Sequence, residues 1–86
     1  MSAVLRAEAD SLQWVPMRSS TVVRIAYNPD FKRLFVQFKS GGMYAYDGVP
    51  AAIFEAFKFA PSAGQFVYYT LRAKGTDSYY AVRGPL

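Results

Sequence analysis

The sequence contains neither histidine nor cysteine. That double absence removes thiolate nucleophiles, disulfides, zinc centres of the Cys/His kind and imidazole acid–base chemistry together. Long apolar runs are missing as well, since no window approaches the roughly 18 consecutive apolar residues that span a bilayer. Carboxylates are few, six Asp/Glu against ten Lys/Arg for a net charge of +4. They are scattered with no pair at ligand spacing, so neither a metal nor a cofactor is expected. Met1 to Arg6 lack a basic segment followed by an apolar stretch, and Glu8 and Asp10 stand where a signal peptide would be uncharged. A cytoplasmic protein without membrane association is the expectation, and nothing argues for an oxidising compartment.

What is present is apolar, aromatic and basic. Hydrophobic residues make up 52% of the 86, and seven Tyr, seven Phe and one Trp give fifteen aromatics. A chain this short forms one small domain that buries only roughly 60–65% of its unfolded surface, so large rings are useful core material. In a basic chain the same rings can also serve as stacking platforms for bases. Position along the chain has to separate the two roles.

Residues 1–16 read as a weakly ordered leader, because Val4, Leu5 and Leu12 are too sparse for a convincing stripe and Pro16 stops any helix. From Ser20 the pattern turns to period two. Val23, Ile25 and Tyr27 share one face, with Val22, Arg24 and Ala26 on the other. Beyond the Asn28-Pro29-Asp30 turn, Leu34, Val36 and Phe38 alternate with Arg33, Phe35, Gln37 and Lys39 as a second strand. Ser40-Gly41-Gly42 leads to a short third strand over Met43 to Asp47. Pro50 suits the first position of a helix running to about Ala60, with Ile53, Phe54, Phe57 and Ala60 on one side and Phe59 on the polar side. Pro61 ends it, and Ser62-x-x-Gln65 has the form of a capping box for a second helix over about 63–73. The β-formers Phe66 to Thr70 leave a strand open as the alternative there. Ser78 to Arg83 in the tail, 76–86, are a possible extra strand. The fold class is therefore α+β: a three-stranded, possibly four-stranded, antiparallel meander with two short helices on one face.

Ser19-Ser20 ahead of the first strand, Ile25, Tyr27, Leu34, Val36 and Phe38, then Gly42-x-Tyr44-x-Tyr46-x-Gly48-Val49-Pro50, Ala60-x-Ser62-x-Gly64 and Arg72 resemble the KTSC domain. The likeness runs over about residues 17–73, in a domain bounded at 17–75. The Tyr-x-Tyr-x-Gly-Val-Pro run with the Ala-x-Ser-x-Gly segment is its most specific part. That family is named for the C-terminus of certain lysyl-tRNA synthetases and also occurs as small free-standing bacterial and phage proteins. Its usual asparagine after the aromatic pair is absent here, while Phe66, Leu71 and Arg72 match. The resemblance implies a presumed RNA-binding, or more generally nucleic-acid-binding, module.

The residues themselves offer a site of the same kind. If Ile25 and Val36 face the helices, then Arg24, Arg33, Phe35, Gln37 and Lys39 share the opposite, open face, where cations meet phosphates and a ring stacks on bases. The same face also reads as a solvated surface whose charges keep strand edges from aggregating, or as a protein interface. Arg72 and Lys74 either add phosphate contacts or complement the dipole of the second helix. Four such contacts would give a log–log salt slope near −3 on single strands, at roughly 0.7 per contact. Tyr44 and Tyr46 read as core, leaving Phe35, Phe59 and one of Tyr79 and Tyr80 outside. Ser19, Ser20 and Ser62 have no histidine to activate them, and read as backbone-bonding residues and a cap rather than nucleophiles. No enzyme is expected. The functional expectation is nucleic-acid binding, RNA ahead of DNA, with a protein-interaction or homodimerisation module as the alternative.

Overall fold

The structure, a computed structural model, describes residues 2–71 and 79–86. The expected meander is its centre: β2 (Val22–Asn28), β3 (Arg33–Phe38) and β4 (Met43–Asp47) pair antiparallel in sequence order. Both edges carry a further strand. The tail supplies β5 (Ala81–Arg83) beside β4, and residues from the supposed leader supply β1 (Val15–Pro16) beside β2, making five strands in the order β1-β2-β3-β4-β5. Pro16 is tolerated in β1 because an edge strand has no neighbour to receive its missing N–H.

On one face lie the two expected helical segments. The first is α2 (Ala51–Lys58), with Pro50 one position earlier than expected, at the N-cap. The turn before it needs Gly48, whose φ of +83° lies where a side chain is strained. The second is α3 (Ala63–Phe66), capped by Ser62 and continued without a break as one π-helical stretch, Val67–Leu71. The helical reading thus wins over the strand that the β-formers allowed. Phe57, Val67 and Leu71 from these helices close over Val22, Ile25, Leu34, Val36 and Tyr46 of the sheet as the main core. Ring pairs tighten it: Phe57 stacks on Phe66 with centroids 4.5 Å apart, and Tyr27 on Phe54 at 5.2 Å. The Tyr27 hydroxyl donates to the Val49 carbonyl at 2.6 Å, and burial pushes its phenol above the ordinary value. Tyr46 is buried and Tyr44 sets its ring edge-on to Phe38, the core role expected of both.

One detail of β2 departs from simple alternation. A β-bulge between Val22 and Arg24 shifts the register, so Val22 rather than Val23 joins Ile25 in the core. An extra residue in one strand moves every side chain beyond it to the other face.

The larger departure is on the second face, which is covered rather than open. The N-terminal segment is a helix, α1 (Ser2–Asp10), not a weakly ordered leader. Leu5 and Ala9 fall one turn apart and pack with Leu12 and Trp14 on Ala26, Phe35, Met43 and Ala45. Small residues on both partners let the helix come close. Trp14 Nε1 donates to the Ala9 carbonyl at 2.9 Å, holding the helix end down on the sheet. The far end of the chain joins the same layer: the Leu86 amide donates to the Met43 carbonyl, and Arg6 donates to the Leu86 carbonyl, both at 2.8 Å.

Candidate functional site

The covered face removes Phe35 from the site read from the sequence and engages Arg24 and Arg33 within the protein. Phe35, expected as an outward stacking ring, is 0% exposed beneath α1. Arg24 and Arg33 do share its face, but each is committed within the protein. Arg24 Nε donates to Gln37 Oε1 at 2.6 Å while its guanidinium lies 4.1 Å from the Trp14 ring centre. Such a cation–ring contact holds a half-buried arginine in place. Arg33 bridges two carboxylates, Asp47 at 2.6 Å and Glu8 of α1. Glu8 also accepts from Asn28 Nδ2 at 2.9 Å, and Arg83 completes the cluster on Asp47 at 2.7 Å. Burial alone would raise the Asp47 carboxyl, but its bonds to Arg33 and Arg83 prevail and hold it below the usual aspartate value. For Arg33 the two carboxylates likewise outweigh burial, and its pKa rises. This is a clamp that fastens α1 and β5 to the sheet, with no charge left over for a phosphate.

Of the remaining residues read as a site, Lys39 is exposed and enters no ion pair among the described residues. Arg72 and Lys74 lie outside the described residues. Of the aromatics expected outside, Phe59 is 80% exposed and Tyr79 is exposed, with Tyr80 half-buried against the main core; Phe31, Tyr68 and Tyr69 are exposed as well.

A different site stands at the end of the sheet where β2 begins. The chain before β2 and the link between α2 and α3 face each other across a cleft of about 230 Å³. Its walls are Arg18-Ser19-Ser20-Thr21 on one side and Pro61-Ser62-Ala63-Gly64 on the other, and they are predominantly polar. These are the two serine-containing segments that bracket the resemblance, forty-odd residues apart in the sequence.

Local chemistry explains how each wall is held. Ser19 Oγ accepts from the amides of Thr21 at 3.0 Å and Val22 at 3.1 Å, fixing the start of β2. Ser62 Oγ accepts from the Gln65 amide at 3.3 Å as the cap of α3. Both serines therefore bond to backbone as expected of them. Each hydroxyl has one O–H and two lone pairs. With both lone pairs of Ser19 engaged, its O–H is the function left to address a ligand, and the Ser62 O–H is likewise a donor. Arg18 lines the same cleft and enters no ion pair among the described residues. The Lys39 amide donates to the Thr21 carbonyl at 2.8 Å, which sets the backbone of this exposed lysine beside the wall. The result is a recess of donors and positive charge, suited to an anion rich in oxygen acceptors.

Arg18 escaped the sequence reading because it lies before the first strand, where alternation assigns no face. The available signal was the matched pair of serine segments, each at the start of an element. Among the described residues no cluster of three or more metal-ligating side chains occurs, and no helix is long and apolar enough to cross a membrane.

Three comparisons bear on this arrangement. The chain is 35% identical over 51 residues to an uncharacterised protein of Stutzerimonas stutzeri (strain A1501), covering 59% of this chain and 72% of that one. Its fold matches the crystal structure of a KTSC domain protein from Yersinia pestis with a TM-score of 0.74 and 33% identity, over 85% of this chain and 96% of the other. The family profile described as the KTSC domain matches residues 18–74, a span that contains both walls of the cleft, and by that match the chain belongs to the KTSC domain family.

Proposed function

We propose that this chain is a small nucleic-acid-binding module that takes a backbone phosphate in the cleft between Arg18–Thr21 and Pro61–Gly64. One observation carries the reading: Arg18 shares the recess with Ser19, whose two lone pairs are bonded to backbone amides, and with Ser62, which accepts one such bond, so both hydroxyls have an O–H to offer an anion beside a positive charge. Lys39 supplies a further phosphate contact. RNA stands ahead of DNA on the resemblance to the family alone. The role is one of binding, with no chemistry performed on the ligand, because neither a histidine nor a cysteine exists to activate a hydroxyl. The covered sheet face takes no part.

Anisotropy titration of a labelled single-stranded RNA at several salt concentrations tests this. Two phosphate contacts, from Arg18 and Lys39, give a log–log salt slope of about −1.4, at roughly 0.7 per contact. Arg18→Glu should weaken binding at least tenfold, and Ser62→Ala should weaken it less. Absence of binding at low salt, or an affinity untouched by Arg18→Glu, overturns the proposal.

Self-association or partner docking is the second reading, supported by Phe59 standing 80% exposed just beyond α2. Sedimentation velocity at high concentration decides the homodimer form of it, which a monomer removes.

A further inference from the structure

The helix that forms one wall of the cleft carries two exposed rings one turn farther on. Tyr68 is 37% and Tyr69 68% exposed, although both are large and the core lies just behind them at Val67 and Leu71. Their rings stand nearly perpendicular, 89° between planes, with centroids 4.8 Å apart, and so form an aromatic corner open to solvent. Gly64, in the cleft wall, is four residues before Tyr68. Tyr68 and Tyr69 belong to the π-helical stretch that continues α3, whose wider turn closes between residues five apart, so both stand about one turn beyond Gly64 on the same continuous helix. The corner thereby stands about one helical turn from the wall of the phosphate recess.

We infer that the ligand is bound as a single strand, with a phosphate in the cleft and an adjoining base stacked on the Tyr68–Tyr69 corner. This rests on the phosphate reading of the cleft. Cationic walls beside exposed rings are the combination that single-strand binders use, since every base has a face to stack and every nucleotide a charge to neutralise. A duplex does not satisfy the arrangement, because its bases are already stacked on one another and only splayed-out bases meet a protein ring. Binding should consequently be tolerant of base identity, as stacking without edge contacts is.

The test compares three ligands of equal length by anisotropy: a single-stranded oligouridylate, an abasic ribose-phosphate strand and an RNA duplex. The wild-type protein should favour the base-bearing strand over the other two by roughly five- to 150-fold, the range for removing one base–aromatic stack. Tyr68→Ala/Tyr69→Ala should lose that advantage while binding the abasic strand as the wild type does. Tyr69→Ser alone, at a largely exposed position, should lose part of it with the fold intact, and Tyr69→Trp should retain it. If oligouridylate and abasic strand bind alike, or the tyrosine variants match the wild type, while Arg18→Glu still weakens binding, the stacking site is overturned and the phosphate cleft stands. If Arg18→Glu also leaves every affinity unchanged, both fall. Equal affinity for the duplex overturns the single-strand assignment.

Discussion

Gly64 packs so closely on Thr21 that a Cβ at position 64 would stand 2.9 Å from the Thr21 hydroxyl oxygen and 3.4 Å from its Cβ. The two walls of the cleft meet at this contact, and the absence of a side chain on one of them sets the width. Because Gly64 lies within α3, alanine there would ordinarily stabilise the helix by about 0.8–1 kcal/mol. Against Thr21 that gain should be cancelled or reversed, and in a Thr21→Ala background it should return. Chemical denaturation of the four members of the cycle measures a coupling expected at about 0.5–1.5 kcal/mol, the range for residues in contact. Additive effects would mean that the walls are not in steric contact.

Two phenylalanines that periodicity leaves outside, one in a strand and one in a helix, separate sharply in stability. Phe35→Ala should cost about 3–5 kcal/mol, because it opens a cavity at a fully buried position between α1 and the sheet. Phe59→Ser should stay within about 0.5 kcal/mol of the wild type, since the ring has little packing to lose. Urea midpoints of the two variants check the contrast, and similar midpoints would contradict the burial of Phe35 under α1.

Acid should weaken the clamp around Asp47. Its folded pKa lies below the ordinary value, so the folded state holds the carboxylate charged at a pH where the unfolded chain has begun to bind a proton. The stabilisation is complete above the unfolded value of about 3.9 and is lost as pH falls through the folded one. Thermal melts between pH 6 and pH 2 should show this decline in the wild type. Asp47→Asn should lower the melting temperature at neutral pH and flatten that part of the curve.

Arg33 and Arg18 are both arginines on a basic chain, yet their replacements should differ in kind. Arg33→Ala leaves Glu8 and Asp47 half-buried without their shared cation and should cost about 1.5–3 kcal/mol, the scale of a hydrogen bond to a charged group. Arg18→Ala should change stability by less than about 0.5 kcal/mol while weakening RNA binding. Paired melts and anisotropy titrations separate the two, and a destabilised Arg18 variant would show that its guanidinium has a structural partner.

The meander was legible because Leu34, Val36 and Phe38 alternate without interruption and the turns between strands carry Pro or Gly. Helix α2 was legible for a similar reason, through the spacing of Ile53, Phe54 and Phe57. Alternation identifies which residues share a face, but not what lies above that face. Arg24, Arg33 and Phe35 do stand together, and only the docking of α1 shows that they are enclosed. That helix was missed because one of its two buried contacts is Ala9, whose methyl weighs little in a hydrophobic count although it fits a close interface well. Edge strand β1, two residues long, is too short for any periodicity, whereas β5 falls within residues 78–83, which read as a possible extra strand. The cleft was legible only as two separate serine segments, because the fold and not the spacing brings them opposite each other.

The sheet is clad unequally: a thick aromatic cover on one side, and on the other a thin veneer whose Ala9 packs in one layer with Ala26 and Ala45 of the sheet. A veneer offers little tolerance for added volume, so a single extra methylene beneath it lifts the helix as a plank and carries Glu8 away from Arg33. Mechanical fit and charge balance on that side are one property rather than two. The seam beneath α1 is then where the molecule should part first, with the amides of residues 5–10 exchanging hydrogen well before those of β3.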